Sequence, residues 1–187
     1  MSRLFLFAAA SAGQWKIQSI SSVIGQSLPP ASHLRIGSAS ELYSLESPAW
    51  VLQGIVSNER YITRDEKNHL LEVQEGLGRP TSVCAALIPI KKTSAWWALS
   101  QDERRAIFEE QSHHVRIGMK YLPPIARRLY HCRDISEDEP FDFLTWFEYA
   151  PEYEASFNEL IADLRATEEW KYVDREVDIR LVRSTNI

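Results

Sequence analysis

Two adjacent histidines, His113 and His114, are the side chains of this sequence best suited to metal chemistry. An imidazole nitrogen can ligate a transition metal, and the ring can also transfer a proton near neutral pH. Neighbouring residues of a helix point about 100° apart, so the two rings cannot easily bind the same ion. Gly118 follows His114 by one turn and would leave space for a large, flat ligand. The simpler interpretation is a capped or solvated histidine, and composition alone does not decide between the two.

Charged and amide side chains elsewhere in the chain could complete such a site. Arg127 heads an apolar strand, and a buried arginine needs an anion, either a ligand or a structural carboxylate. Glu168 and Glu169 end the last predicted helix, where negative charge opposes the helix dipole. One of them is therefore expected to accept a hydrogen bond from a histidine or to pair with a surface lysine. Gln74, at the end of an earlier helix, could orient an arginine.

A third group of candidates combines a cation with aromatic rings. Lys92 and Tyr61 could anchor the carboxylates of a cofactor. Trp96 and Trp97 are two of six tryptophans, and indoles fill protein cores as readily as they line binding sites. We expect Ser94 to be the N-cap of the helical residues that carry these indoles. Each of these signals is weak when it is taken alone.

The elements that must position these residues are mostly strands. Alternating or continuous apolar patterns predict strands at 4–10, 15–20, 50–56, 83–90, 127–132, 141–149 and 172–182. Two capping boxes predict helices from Thr63 to about Gln74 and from Ser100 to about Leu122, and Pro151 opens a third helix. Strands outnumber helices without regular βαβ alternation, which predicts an α+β fold with an antiparallel sheet. Both halves carry strands and helices in similar proportion, which makes a duplicated ferredoxin-like sheet plausible.

Composition excludes several classes of protein. The 187 residues are 44% hydrophobic and 25% charged, as in a soluble globular protein rather than a disordered one. No apolar run approaches the roughly 18–20 residues that span a bilayer, which argues against a membrane protein. A formal net charge of −5 disfavours nucleic acid as a partner. Cys84 and Cys132 show neither a disulfide framework nor a zinc-binding spacing.

The apolar N-terminus allows two interpretations. Residues 4–10 follow Arg3 and could belong to a short secretory signal, but they lie at the lower edge of the roughly 7–15 apolar residues that such a signal uses. We favour a first β-strand, and without a convincing signal the cytoplasm is the default location. Residues 31–48 are the least determined part of the chain, and no element is predicted there.

Several of these segments, taken together, resemble the chlorite dismutase family, and specifically its short, dimeric branch. The matching stretches are 79–97, 101–134, 141–150 and 164–172, with fainter similarity from about Trp15, so most of the chain is covered. The family consists of haem b enzymes that convert chlorite to chloride and dioxygen. The resemblance therefore implies an oxidoreductase, a chlorite O2-lyase, with haem b as its cofactor, chlorite as its substrate and a homodimer as its assembly.

The resemblance also implies roles for individual residues. His114 matches the proximal haem ligand that binds the iron, and Arg127 matches the distal arginine. Glu169 matches the carboxylate that accepts the imidazole N–H, and Gln74 matches the residue that hydrogen-bonds the distal arginine. Matches to contacts of the porphyrin, its propionates or the distal pocket are Lys92, Tyr61, Trp96, Thr145 and Phe147. In the implied reaction chlorite transfers an oxygen atom to iron, giving a ferryl intermediate and a hypochlorite-level fragment that Arg127 holds.

The implied fold has two ferredoxin-like halves, residues 1–90 and 91–187, packed into a dimeric α+β barrel with the haem in the second half. Coprohaem decarboxylases, a related branch, lack the distal arginine, so Arg127 favours chlorite chemistry. Two alternatives remain. One is a coprohaem decarboxylase or slow peroxidase on the same fold, and the other is a non-enzymatic haem-binding barrel dimer in which these residues merely pack. Residues 38–48 have no counterpart that we can assign.

Overall fold

A computed structural model describes residues 4–38, 41, 47–56 and 60–184 of the chain. The β-strands within these ranges are β1 Leu4–Ala10, β2 Trp15–Ile24, β3 His33–Gly37, β4 Trp50–Ile55, β5 Cys84–Lys92, β6 Ala126–His131, β7 Phe143–Tyr149 and β8 Val173–Arg183. The α-helices are α1 Arg64–Val73, α2 Ser94–Ala98, α3 Gln101–Arg105, α4 His114–Met119 and α5 Glu154–Arg165. A π-helix spans Ala106–Gln111, and short 3₁₀ helices span Pro151–Tyr153 and Glu168–Tyr172.

The strands form one closed antiparallel barrel in the order β1-β3-β2-β8-β5-β7-β6-β4. β4 also pairs with β1, from Leu4 opposite Ile55 to Ala9 opposite Trp50, and, among the described residues, with β6 at one position. The first four strands therefore stand in the order β4-β1-β3-β2, and the last four stand in the order β8-β5-β7-β6. Both sets follow the 4-1-3-2 order of a ferredoxin-like sheet. The predicted α+β fold with two ferredoxin-like halves is confirmed.

β5 begins the second half, because it pairs with β7 on one side and with β8 on the other. It starts at Cys84, before the boundary predicted at residue 90. We therefore propose that the two halves divide within residues 74–83, between α1 and β5.

Large apolar side chains from both halves fill the interior of the barrel. Phe7 and Leu34 from the first half and Leu87 and Ile179 from the second are all 0% exposed. Burying each such side chain stabilises the fold by about 1.5–3 kcal/mol. The interior is therefore a packed core that holds the two halves together.

A second apolar cluster lies on the opposite face of the second half. Ile88 belongs to this cluster while its neighbour Leu87 faces the barrel interior, as expected from the alternation of side chains along a strand. Phe157, Leu160 and Leu164 recur at helical spacing along α5 and form the helix side of the cluster. α5 thus covers part of the outer face of the sheet.

The prediction of one long helix between Ser100 and Leu122 is wrong. This stretch is divided into α3, the π-helix and α4, and α4 ends at Met119. The interruption is at His113, whose backbone is left-handed with φ of 54° and ψ of 36°. A left-handed residue cannot continue a right-handed helix. The chain therefore changes direction immediately before His114.

Smaller expectations have mixed outcomes. Both predicted capping boxes are confirmed. The N-cap of α2 is Thr93 rather than Ser94, because the Thr93 hydroxyl accepts the Trp96 backbone N–H at 3.3 Å. β3 forms within the stretch to which no element was assigned. Of residues 38–48, positions 39–40 and 42–46 lie outside the described residues. In the described ranges no helix is long and apolar enough to cross a membrane.

Candidate functional site

A cavity of about 350 Å³ lies between the outer face of β5, β6 and β7 and the helical segments packed against it. Its wall is mostly apolar with a few polar groups, which is the usual composition of a ligand-binding site. The nine residues to which the resemblance assigns roles all line it, whereas the other candidates His113, Trp97 and Glu168 do not. The nine are Tyr61, Gln74, Lys92, Trp96, His114, Arg127, Thr145, Phe147 and Glu169. The fold therefore brings together candidates that are far apart in the chain.

The His114 ring, at the start of α4, is held by a buried carboxylate. Its Nδ1 atom lies 2.7 Å from Oε2 of Glu169, in the 3₁₀ helix that follows α5. The Lys92 ammonium donates to the other oxygen of Glu169, also at 2.7 Å. The Ser112 hydroxyl accepts the Glu169 backbone N–H at 2.8 Å. Since Nδ1 is engaged, Nε2 is the nitrogen of His114 that remains to ligate a metal.

Charge keeps Glu169 ionised although the residue is buried. Burial alone would raise the pKa of this carboxyl, but the charges and hydrogen bonds of His114 and Lys92 lower it to about 2. Its neighbour Glu168 pairs with the exposed Lys171 at 2.6 Å. Each carboxylate therefore has a partner, as expected. The reason given from the sequence is wrong, because both residues lie in the first turn of the 3₁₀ helix Glu168–Tyr172 and not at the C-terminal end of α5, which ends at Arg165.

Lys92 is placed differently from its expected role. It was expected to contact a carboxylate of a cofactor, whereas its ammonium pairs with Glu169. The Lys92 residue is only 5% exposed. The ammonium also lies over two indole rings, 4.7 Å from the centroid of Trp96 and 5.5 Å from that of Trp170. Such contacts attract a cation. Lys92 is therefore part of the network behind the imidazole.

Arg127 lies in β6 and lines the cavity. Its guanidinium packs against Gly118 of α4, where a Cβ atom would lie only 2.6 Å from Nη1. The space that Gly118 was expected to leave for a flat ligand is therefore occupied by Arg127. Gln74 contacts Arg127 through the backbone, because its Nε2 donates to the Arg127 carbonyl at 2.9 Å, and its expected action on the guanidinium stays a prediction. A guanidinium stays protonated at any relevant pH, so the cavity wall carries a permanent cation.

Tyr61 and Trp96 meet edge to face at the cavity wall, with ring centroids 6.0 Å apart. Tyr61 has a positive φ of 64°, which is uncommon for a residue other than glycine. The Trp96 indole nitrogen is buried, and none of the residues that the structure describes accepts a hydrogen bond from it. A buried donor without a partner is costly. A ligand in the cavity is therefore expected to accept this bond.

Phe108 and His131 also line the cavity, although nothing in the sequence marks them. The Phe108 ring stacks on the His114 imidazole, with centroids 4.3 Å apart and planes 22° apart. His131 is 2% exposed, its Nδ1 has no partner among the described residues, and burial together with the charge of Arg60 lowers its pKa to about 4. No motif marks either residue. Phe108 lies six positions before His114, and residues six positions apart do not share one face of an α-helix.

The family model for chlorite dismutase matches residues 33–184. The crystal structure of a dimeric chlorite dismutase from Nitrobacter winogradskyi aligns with a TM-score of 0.89 and 56% identity, over 96% of this chain and 99% of that one. A chlorite dismutase from Ideonella dechloratans is 30% identical over 126 residues, which are 65% of this chain and 40% of that protein. This chain thus spans less than half the length of that relative. A chlorite dismutase from Candidatus Nitrospira defluvii, in complex with imidazole, shares the fold with a TM-score of 0.67 and 19% identity, over 98% of this chain and 92% of that one.

Proposed function

This chain belongs to the chlorite dismutase family, and on that premise we propose that it is a haem b-dependent enzyme that converts chlorite to chloride and dioxygen. The observation that carries the proposal is the composition of the cavity, which combines a carboxylate-tethered imidazole with a permanent cation. The first group suits an iron ligand and the second suits an anionic substrate.

The residues of the cavity fit a haem. The wall is mostly apolar, as the porphyrin ring requires, and His114 would offer Nε2 to the iron. The unpartnered indole N–H of Trp96 is suited to donate to a carboxylate at the edge of the cofactor. Tyr61 lies next to this indole and could act on the same group. Thr145 and Phe147 of β7 complete the strand side of the wall.

Haem iron held by His114 would supply the oxygen-atom chemistry that chlorite breakdown needs. Glu169 accepts the Nδ1 proton of His114 in a hydrogen bond, which makes the imidazole a more strongly electron-donating ligand. Lys92 weakens this electron donation, because its positive charge partly neutralises the same carboxylate. The three side chains thus set how much electron density the ligand offers.

Arg127 would act on the substrate rather than on the cofactor. Its permanent positive charge would attract chlorite into the cavity. It would then hold the hypochlorite-level anion there until chloride and dioxygen have formed. Gln74 holds the Arg127 backbone in place through its bond to the carbonyl. Phe147 and the other apolar side chains limit the access of water.

We also infer that the chain assembles as a homodimer. The solved relative that shares 56% identity over 96% of this chain is dimeric. Light scattering of the purified protein tests this assembly, and a monomer at micromolar concentration would contradict it.

The test of activity is oxygen evolution from chlorite by the purified protein loaded with haemin, followed with an oxygen electrode. Arg127→Ala is expected to lower kcat by roughly 10²–10³-fold, the usual loss when one charge-stabilising group is removed. Arg64→Ala, an exposed arginine of α1, is the matched control. Wild-type protein that releases no oxygen when loaded with haemin, but forms a vinyl product when it is given iron coproporphyrin in place of haemin and peroxide as the oxidant, would instead identify a decarboxylase.

The test of the ligand is haem retention, followed by the Soret band. His114→Ala is expected to lose stable haem binding, and His69→Ala, an exposed histidine of α1, is expected to retain it. A full Soret band in His114→Ala would show that this histidine is not the ligand. Wild-type protein that stays colourless with haemin would refute the cofactor itself.

A further inference from the structure

Phe108 and His114 form a stacked pair although six positions separate them in the chain. Their ring centroids are 4.3 Å apart and their planes 22° apart. In an uninterrupted α-helix, a residue six positions later lies about 9 Å along the axis and about 240° around it. The two rings would then face different directions, so the stack depends on the interruption of the helix.

The interruption is held by its own hydrogen bonds. The Ser112 N–H donates to the Ile107 carbonyl at 3.1 Å, five residues back, which is the spacing of a π-helix. Glu109, the residue after Phe108, accepts the Val115 backbone N–H with its carboxylate at 2.6 Å. The left-handed backbone of His113 then turns the chain into α4. Phe108 therefore lies in the π-helix and His114 in α4, and the bond between Glu109 and Val115 connects these two segments.

The bond to Glu169 does not by itself fix the plane of the His114 ring. A hydrogen bond tolerates up to roughly 60° of misalignment before it weakens steeply, and the outer torsion of a histidine side chain is broad. The stacked phenyl ring restricts the rotation that remains, because turning the imidazole would drive its edge into the ring. Glu169 therefore sets the position of Nδ1, and Phe108 sets the ring plane.

Phe108 also contacts Tyr61, and a closed circuit of side-chain contacts leads from Tyr61 back to His114. Phe108 lies 5.9 Å from the ring of Tyr61, Tyr61 lies 6.0 Å from Trp96, and the Lys92 ammonium lies 4.7 Å from Trp96. Lys92 then pairs with Glu169, which returns to the imidazole. The side chains of the circuit are Phe108, Tyr61, Trp96, Lys92, Glu169 and His114.

We propose that Phe108 is a positioning residue that fixes the plane of the His114 imidazole and, through it, the orientation of that plane about the iron–nitrogen bond. The inference rests on the proposed function, because it takes His114 to be the iron ligand. The orientation of an axial imidazole relative to the pyrrole nitrogens governs the splitting of the iron d orbitals, which electron paramagnetic resonance reports through the g values.

The first test compares the ferric cyanide complexes of three haem-loaded variants by electron paramagnetic resonance. Phe108→Leu is expected to change or broaden the g values, and Phe108→Tyr is expected to retain those of the wild type. Phe143→Leu removes a phenyl ring from the same cavity and is the matched control, because Phe143 stacks on Trp97 and not on His114. Wild-type g values in a haem-loaded Phe108→Leu would overturn the proposal, and the tyrosine variant guards against an effect of misfolding.

The second test uses the cofactor-free protein and is independent of haem uptake. The carbon-bound ring protons of His114 lie over the Phe108 ring and are expected to show an upfield ring-current shift in NMR spectra. The shift is expected to persist in Phe108→Tyr and to disappear in Phe108→Leu. Its absence from the wild type would overturn the proposal, whereas its presence in a protein that takes up no haem would refute the proposed function and leave the stacking intact.

Discussion

The two halves of the barrel share one strand order but differ in the groups they bury. Among the described residues, every buried polar or charged side chain lies at or after position 82: Ser82, Lys92, Ser112, His131, Asp142, Glu148, Glu169, Glu176 and Asp178. The buried side chains of the first half, in the part of the chain that the structure describes, are apolar. Buried polar groups need partners and add little stability in return. The buried polar groups thus accompany the half that supplies most of the site, while the first half contributes Tyr61 and Gln74 to the cavity wall.

The connections between equivalent strands explain how this difference arises. In the first half, residues 11–14 join β1 to β2, and Gly13 lies so close to the sheet that a Cβ would be 2.5 Å from the Leu34 carbonyl oxygen. In the second half, residues 93–125 join β5 to β6 and include Trp96, Phe108 and His114. The same sheet can therefore carry a site where the first crossover is long enough to cover its outer face.

The two seams between the halves also differ. β2 pairs with β8 from Trp15 opposite Arg183 to Ile24 opposite Glu176, whereas, within the described residues, β4 meets β6 at one pair, Ile55 and His131. The short seam lies beside the cavity, because His131 lines it. In the part of the chain that the structure describes, the ladder on the side of the site is thus the shorter of the two.

The largest effect is expected from removing the carboxylate of the second half. Glu169→Leu leaves the Lys92 ammonium buried without its partner, so the free energy of unfolding of the metal-free protein is expected to fall by about 3–5 kcal/mol. Glu168→Leu, which breaks an exposed pair, is the control and is expected to change it by less than about 0.5 kcal/mol. Urea unfolding measures both. Equal losses in the two variants would show that the buried network does not distinguish the second half.

A smaller loss is expected from crowding the short seam. A Cβ at Gly54 of β4 would lie 2.7 Å from Cβ of Tyr130 in β6, so Gly54→Ala is expected to destabilise the protein by about 1–3 kcal/mol. Gly76→Ala is the matched control, because a Cβ there meets nothing within 4 Å. Thermal unfolding compares the two variants. Equal stability of Gly54→Ala and Gly76→Ala would mean that β4 and β6 move apart to accommodate the methyl group without loss of stability.

Local patterns in the sequence were sufficient to predict most of the fold. Strand alternation and capping boxes depend on residues within a few positions of each other, and these predictions are confirmed. The break at His113 could not be predicted in this way, because no glycine or proline marks it. Its left-handed backbone is supported by the bond from its own Nδ1 to the Glu109 carbonyl, at 2.9 Å.

The members of the site could be predicted, but several of their contacts could not. The resemblance identified nine residues that do line one cavity. Lys92 nevertheless pairs with Glu169, at a separation of 77 positions that no local pattern reveals. In the same way, the gap at Gly118 is occupied by a side chain of β6 rather than left for a ligand. Pairings of this kind are decided by packing in three dimensions.

The contrast between the seams predicts a difference in hydrogen exchange. The backbone amides between β2 and β8 are expected to exchange only on global unfolding, because that ladder is long. The amides that β4 and β6 share are expected to open with a free energy lower by on the order of 1 kcal/mol or more. Native-state exchange of the metal-free protein, resolved by residue, measures both. Equal protection of the two seams would show that the barrel opens as one unit.

The smallest effect is expected at the contact that ties α1 to the long crossover of the second half. Both carboxylate oxygens of Glu66 bond to Arg105 of α3, at 2.9 and 2.7 Å, and the hydrogen bond from Arg105 lowers the pKa of Glu66 despite an opposing effect of burial. Glu66→Gln can keep the capping box and loses only the charge. The pair is partly exposed, so the expected loss in free energy of unfolding is about 0.2–1 kcal/mol at pH 7.

The pH dependence of that loss identifies its cause. A carboxyl whose pKa is lowered in the folded state contributes stability above its ordinary value of 4.5, and the contribution disappears as the pH falls through the lowered value. The difference between wild type and Glu66→Gln is therefore expected to be constant near neutral pH and to vanish in acid. A difference that persisted below the lowered pKa would mean that the side chain acts through packing, and α1 would then be tied to the second half by shape rather than by charge.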